Sequence, residues 1–321
     1  MAAIDKYLGS AVSAVEQASQ ICKKIQQQLV TEDTLIKKDR SPVTIADLAS
    51  QAVICRSLKN AFPQMPIMAE EDASSLRRPE NKELLKKIAA MLPGWTNEEI
   101  LDSIDAGNYD GGSEFWTLDP IDGTKGFLRG GQYAAALALI KNGRPVLGVL
   151  GCPNLAPQAG GQQGVIFHAQ QGNGVFFKRI GSTETTAVKV SDADGSGAVN
   201  FLESVESGHA DHSLQSSIAA PFGDRANVVR YDSQVKYAVI SRGEADVYLR
   251  LPNPKSPDYK EKIWDHAAGT AIVKEAGGTA TDMHGRELDF SLGRKMLHNR
   301  GVVVTNGSMH EQIISLIKQN T

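Results

Sequence analysis

The chain is short of cysteine, of long apolar runs and of any excess of one charge, and each shortage closes a class of function. Its three cysteines among 321 residues, Cys22, Cys55 and Cys152, are odd in number, far apart and form no C-x-x-C. Neither a disulfide framework nor a thiolate zinc site is expected, and the three read as reduced, buried thiols. Basic and acidic side chains number 34 and 37, a formal net charge of −3. No basic excess points to nucleic acid or a membrane surface, so an anionic substrate must be held by local charges or by metal ions. The most apolar stretch, Ala134 to Ile140, falls far short of the ~20 residues that span a bilayer. Asp5 and Lys6 precede any apolar segment, unlike the order of a secretory leader, and no common lipidation motif occurs. A soluble cytoplasmic protein is the expectation. Walker A, G-x-S-x-G and G-x-G-x-x-G signatures are missing, as are repeats of fixed period.

What is present is clear periodicity. Ile4, Leu8, Val12, Val15, Ala18, Cys22, Ile25 and Leu29 follow the helical period over about seven turns. A polar loop, Lys37 to Pro42, precedes a second helix starting near Thr44 or Ile45, burying Leu48, Ala52, Cys55 and Leu58, and ending before Pro63. Pro66 to Ala69 reads as a short strand running into Glu70-Glu71-Asp72. Residues 80–92 read as helix and 93–113 as loop. Strands follow at Phe115–Leu118, Tyr133–Ile140 and Val146–Leu150, the last two joined by the Asn142-Gly143 turn, with Gly-rich hairpins over 160–190. Beyond a soft boundary near 190 the pattern alternates: strand 198–205, helix 210–220, strand 227–231, helix 232–242, strand 245–250, helix 265–276, strand 301–305, helix 307–318. An α+β part over 1–190 and an α/β part over 191–321 are predicted.

Three acidic segments could carry chemistry. Glu70-Glu71-Asp72 alone would be a solvated turn, but it ends an apolar strand, where open sheets hold ligands. In Asp119-Pro120-Ile121-Asp122-Gly123-Thr124 two carboxylates, stiffened by Pro120, can turn toward one point. Gly123 leaves amide N–H groups open to a phosphate, and Thr124 adds a hydroxyl. A plain turn explains Pro, Asp and Gly singly; it does not explain two acids flanking an apolar residue after a strand. In Trp264-Asp265-His266, Asp265 could cap a helix ending at Gly277 and also serve a metal. Separated carboxylates suit a hard cation such as Mg²⁺ rather than zinc. His209 and His212 lack a third ligand for zinc, and Gly195-Ser196-Gly197 reads as a linker.

Together these segments resemble the magnesium-dependent, lithium-sensitive phosphomonoesterases of the inositol monophosphatase superfamily. The matching blocks are Ala69 to Asp72, Asp119 to Thr124, and WDHAAGTAIVKEAGG from Trp264 to Gly278, followed by Thr281-Asp282 and Leu288-Asp289-Phe290. The likeness spans roughly residues 40–305. Ser41-Pro42-Val43-Thr44 ahead of Asp47, Lys125-Gly126-Phe127, Asp232 to Tyr237, and Asp246 to Arg250 resemble its 3′(2′),5′-bisphosphate nucleotidase branch. Ala69 stands where many members carry Gly, a departure that removes no ligand.

The resemblance implies a layered αβαβα fold with the active site between its two parts. It implies hydrolysis of the 3′-phosphate of adenosine 3′,5′-bisphosphate and of the matching 5′-phosphosulfate, a step of sulfur assimilation, with inositol 1,4-bisphosphate as a side substrate. Two or three Mg²⁺ ions would be ligated by Glu70, Asp119, Asp122, Asp265 and the Ile121 carbonyl, with Glu71 acting through water. Asp47 and Thr124 would position and deprotonate the attacking water, and the Gly123 and Thr124 backbone would hold the scissile phosphate. Lys236, Arg250 and Ser233 would hold the 5′-phosphate, and His209 would contact the nucleotide. Taken singly, Lys236 reads as a solvated helix face and Arg250 as a strand-edge charge. A monomer acting on a small molecule is expected. The alternatives are an inositol phosphate phosphatase and a silent nucleotide-binding or Mg²⁺-sensing protein; the complete set of acids with Thr124 argues against the silent protein. Without metal, such acids repel one another, so a loose or partly protonated site is expected.

Overall fold

A computed structural model describes residues 2–28, 34–36, 42–157, 164–205 and 212–321. The helix predicted from the first apolar period is α1 (Ala2–Gln28), and it packs beside α2 (Ile45–Ala61); β1 (Thr34–Ile36) and β2 (Pro42–Thr44) pair antiparallel in the connection. After β3 (Ile67–Ala69) come α3 (Lys82–Met91) and α4 (Asn97–Asp105). The loop expected over 93–113 is therefore partly helix. Its cause was visible in Thr96-x-x-Glu99: the Thr96 hydroxyl accepts from the Glu99 amide at 3.2 Å, and the Glu99 carboxylate accepts from the Thr96 amide at 2.7 Å. Ile100, Leu101 and Ile104 then bury one face.

The larger sheet contains β3, β4 (Glu114–Asp122), β5 (Ala134–Lys141), β6 (Arg144–Cys152), β7 (Val165–Gln170), β8 (Val175–Arg179) and β9 (Thr185–Val188), in that order; the short α5 (Thr124–Leu128) follows β4. Only the β3–β4 pair is parallel. The second half forms β10 (Val199–Glu203), α6 (His212–Ala219), β11 (Ala226–Arg230), α7 (Val235–Ser241), β12 (Val247–Arg250), α8 (Ala267–Glu275), β13 (Thr279–Thr281), β14 (Val302–Thr305) and α9 (His310–Asn320). Its sheet order is β11-β10-β12-β14-β13. The first three are mutually parallel, as α/β alternation predicts, and β14 and the unforeseen three-residue β13 close it antiparallel.

Side-chain alternation along the strands sorts these elements into layers. On β5, Ala135, Leu137 and Leu139 face α1 and α2, where they meet Val15, Ala18 and Leu58. Ala136, Ala138 and Ile140 face the other way, toward Val239 of α7 and Ile272 of α8. The same middle helices cover Tyr248, Val302 and Val304 of the smaller sheet, while Val247, Leu249 and Val303 point outward to Ile313 and Ile317 of α9. The order is helix, sheet, helix, sheet, helix: the αβαβα arrangement. Residue 190 lies between β9 and β10, and one continuous core joins the two sheets through α7 and α8. All three cysteines are buried and free, and burial pushes each thiol up to about 12. No helix among the described residues is long and apolar enough to cross a membrane.

Candidate active site

Parallel pairing of β3 with β4 brings Glu70 and the Asp119–Asp122 segment to the same end of the larger sheet. The Glu70 amide extends the ladder by donating to the Leu118 carbonyl at 3.1 Å. Gln51 of α2, fully buried, clamps the next residue: its amide nitrogen donates to the Glu71 and Ile104 carbonyls at 2.7 and 2.9 Å, and its oxygen accepts from the Glu71 amide at 3.0 Å. Arg294, stacked 4.5 Å over Trp264, donates to the Ala69 and Glu70 carbonyls at 2.6 and 3.4 Å.

Residues three apart on a regular strand face opposite sides of a sheet. A bulge overcomes this: β4 advances three residues from Asp119 to Asp122 while β5 advances two, from Ala136 to Ala134. The Pro120 carbonyl inside the bulge accepts from the Ser50 hydroxyl at 3.0 Å. That bond ties the bulge to the first turns of α2, where Asp47 lies buried. Asp122 Oδ2 accepts from the Gln234 amide at 2.5 Å. Gln234 is itself a bracket: its side chain donates to the Trp264 carbonyl at 2.9 Å and accepts from the Gly269 amide at 3.0 Å. The start of α7, the start of α8 and the end of β4 are thereby fixed together. Asp265 does not cap α8. His266 occupies that position without a side-chain cap bond, and Asp265 faces Arg250 instead.

The electrostatics report a common focus. Burial, followed by the charges of Glu70, Asp122, Asp265 and Asp47, pushes the Asp119 carboxyl well above the ordinary carboxylate range. Burial also raises Asp265, against the pull of Arg250 and with the push of Asp122 and Glu70. Burial raises Asp122 too, opposed by Lys236 and Arg250. Asp119 Oδ1 is buried and has no hydrogen-bond partner among the described residues. An orphaned oxygen amid like charges, in a set of oxygen donors only, fits a hard divalent cation.

The other predicted residues sit around this focus. The Thr124 hydroxyl donates to the Ile121 carbonyl at 3.3 Å. Gly123 is left-handed at φ 87°, and a Cβ there would meet the Ser233 Cβ at 2.9 Å. Ser233 is left-handed as well, and its hydroxyl accepts from the Val235 amide. Lys236 is not a solvated helix face. It is 3% exposed, donates to the Tyr231 carbonyl at 3.1 Å and lies 4.9 Å over the Tyr248 ring. Burial, only partly offset by Asp122, lowers it to about 8. Arg250 bonds Glu261 Oε2 at 2.7 Å and lies 3.5 Å from Asp265 Oδ2. His209 and Ser41 lie outside the described residues.

Sequence reasoning missed Gln51, Gln234, Arg294, Glu261, His266 and Tyr237, whose roles appear only once the folded chain brings their partners to them. Burial drives His266 down, so its ring is neutral near pH 7. Its Nδ1 then accepts from the Tyr237 hydroxyl at 2.7 Å and its Nε2 donates to Glu261 at 3.2 Å. Burial alone would raise Glu261, but Arg250 and His266 outweigh it and hold the carboxyl at about 2.

The model of the inositol monophosphatase family matches residues 4–321. A Schizosaccharomyces pombe protein named 3′(2′),5′-bisphosphate nucleotidase is 40% identical over 331 residues, covering 95% of this chain and 92% of its own. One of the same name from Dictyostelium discoideum is 40% identical over 322 residues, covering 97% and 96%. Among solved structures, an IMPase from Thermotoga maritima superposes with a TM-score of 0.68 at 21% identity, over 99% of this chain and 98% of that one. CysQ from Bacteroides thetaiotaomicron, TM-score 0.58 at 20% identity, covers 92% of this chain and 95% of its own. These structures share the fold.

Proposed function

The chain belongs to the inositol monophosphatase family, and we propose that it is a 3′(2′),5′-bisphosphate nucleotidase: a phosphatase that removes the 3′-phosphate of adenosine 3′,5′-bisphosphate. The matching 5′-phosphosulfate is a second substrate and inositol 1,4-bisphosphate a side substrate. The observation that carries this reading is the meeting of Glu70, Asp119, Asp122, Asp265 and Asp47 around an orphaned Asp119 oxygen, with Lys236 and Arg250 close enough to act on Asp122. The relatives' names supply the substrate class.

Glu70, Asp119, Asp122, Asp265 and the Ile121 carbonyl would hold Mg²⁺ ions, two or three of them, with Glu71 acting through water. Bound there, Mg²⁺ neutralises phosphate oxygens, acidifies water and stabilises the leaving alkoxide. The protein does the rest. Asp47, fixed in the first turn of α2, would accept the Thr124 hydroxyl proton as the Thr124 oxygen takes up the proton of the attacking water. The amides at Gly123 and Thr124 hold the scissile phosphate, at a turn where a side chain would collide with Ser233. Lys236, Arg250 and Ser233 receive the 5′-phosphate. A dianion beside Lys236 favours its charged form and reverses the effect of burial. His209 contacts the nucleotide.

The 1–190 part supplies most of the acids and the 191–321 part supplies Asp265 and the 5′-phosphate cations, so the substrate bridges both parts of a monomer. Phosphate release across a panel with adenosine 3′,5′-bisphosphate, inositol 1-phosphate and inositol 1,4-bisphosphate, with and without Mg²⁺ and Li⁺, tests the reading. The nucleotide should be hydrolysed fastest, only with Mg²⁺, and Li⁺ should inhibit. Preference for inositol 1-phosphate would overturn the substrate, and Mg²⁺-independent turnover would overturn the metal assignment.

A further inference from the structure

Among the described residues, one set of three ligating atoms lies within 4.8 Å of one another: Glu261, Asp265 and His266. The place looks made for a cation, and a cation is already there. Arg250 Nη2 sits 2.7 Å from Glu261 Oε2 and 3.5 Å from Asp265 Oδ2, with all three side chains largely buried. Of the two carboxylates, the guanidinium makes its short, charge-assisted contact with Glu261. Glu261 is held: His266 Nε2 binds it at 3.2 Å, and the Tyr237 hydroxyl fixes His266 from behind at 2.7 Å. Asp265, one residue before His266 and outside the helix, takes the longer contact.

We propose that Glu261 is a positioning residue that keeps Arg250 off Asp265, leaving Asp265 available to Mg²⁺ and Arg250 available to the 5′-phosphate; this rests on the nucleotidase reading above. Without the Glu261 charge, Asp265 is the nearest carboxylate to the guanidinium. A movement of under about 1 Å closes the 3.5 Å contact to a full charge-assisted hydrogen bond. That bond withdraws one acid from the ion-holding set and turns the guanidinium from the substrate.

The test is a double-mutant cycle read by calorimetric titration of Mg²⁺ into the wild-type chain, Glu261→Gln, Arg250→Met and the double variant. Glu261→Gln should weaken Mg²⁺ binding about tenfold when Arg250 is present, and less than about twofold when it is Met. Equal losses in both backgrounds would mean that Glu261 acts on the ion directly or by its charge alone, and would overturn the proposal. So would unchanged binding in Glu261→Gln. Should Glu261→Gln fail to fold, Arg250→Met still decides: with no guanidinium competing for Asp265, Mg²⁺ should bind at least as tightly as in the wild type, and weaker binding overturns the proposal. In activity assays, Glu261→Gln should raise KM for the bisphosphate several-fold more than for a nucleoside 3′-phosphate; equal changes would count against the proposal. A wild-type chain that takes up no Mg²⁺ overturns the metal reading itself, and this proposal with it.

Discussion

Asp119 and Asp246 are each 2% exposed, yet the proposed function assigns one to chemistry and the other to scaffolding. Asp246, just before β12, accepts from the Ser191 hydroxyl on one oxygen and from the Asn200 amide at 2.7 Å on the other. Asp282, fully buried, does more: it takes the amides of His284 and Arg286 at 2.9 and 3.0 Å and that of Arg300 at 3.4 Å. Both organise backbone and have a hydrogen-bond partner on each oxygen. Among the described residues Asp119 leaves a buried oxygen without a hydrogen-bond partner, and the charges of four further acids push its carboxyl up. Burying a carboxylate unsatisfied costs free energy that packing must offset, and such a group fits a bound cation.

The largest test of that contrast is Asp119→Asn against Asp282→Ala. Asp119→Asn should lower turnover by more than about 10³-fold, beyond the loss of one oxyanion-hole donor. Its metal-free melting temperature should nevertheless rise by on the order of a few °C, because a repelled charge has been removed. Asp282→Ala strands buried amides and should cost about 2–4 kcal/mol in stability, while the folded fraction keeps its kcat. Phosphate release and thermal melts on both variants settle it; a destabilised Asp119→Asn with residual activity would erase the distinction.

The same contrast holds for cations. Lys178, 13% exposed, is paired with Glu16 at 2.7 Å and the Ser182 carbonyl at 3.1 Å, fastening β8 to α1. Lys236 is more deeply buried and meets a carbonyl and an aromatic face. Lys236→Ala should raise KM for the bisphosphate by roughly 10- to 150-fold, the worth of one charge-assisted hydrogen bond. A nucleoside 3′-phosphate should change little. Equal shifts for both substrates would remove Lys236 from the 5′-phosphate site. Lys178→Ala should leave both KM values alone and show only in thermal stability.

How much of this was legible in the sequence divides along the same line. Asp119, Asp122 and Glu70 could be picked out because their chemistry is written in consecutive residues at strand ends. Their convergence could not. It depends on one extra residue in β4 against β5, and Pro120 hinted at that bulge without specifying its register. Gln51 and Gln234 are ordinary amides until α2 meets the Glu71 backbone and α7 meets Trp264. The layers came from the resemblance and not from periodicity: β5 and β14 are apolar and buried at nearly every position, so neither strand shows an alternation in sequence that would sort its faces. Helix α4 lies in the segment expected to be loop, although Thr96 and Glu99 advertise its start; it is only nine residues long and follows Pro93-Gly94. β13, three residues long, gives no periodic signal at all.

A smaller effect extends the comparison to pH. His310 belongs to the scaffold: its ring nitrogens meet the hydroxyls of Thr281 at 2.9 Å and Thr305 at 3.1 Å, far along the chain from every acid of the site. Burial holds its pKa below the ordinary 6.5. The unfolded chain therefore takes up this proton more readily than the folded one as pH falls below 6.5. Stability carried by neutral His310 is fully present above that value and is lost as pH drops through the lowered pKa, by at most about 1.4 kcal/mol per pH unit. Urea melts at pH 7.5 and 5.5 should show the wild-type chain losing stability over this interval and His310→Gln losing less. An identical slope in both would place the acid sensitivity elsewhere. If Asp119→Asn kept the full wild-type slope while His310→Gln flattened it, the acid-sensitive part of the fold would be the satisfied scaffold rather than the crowded site.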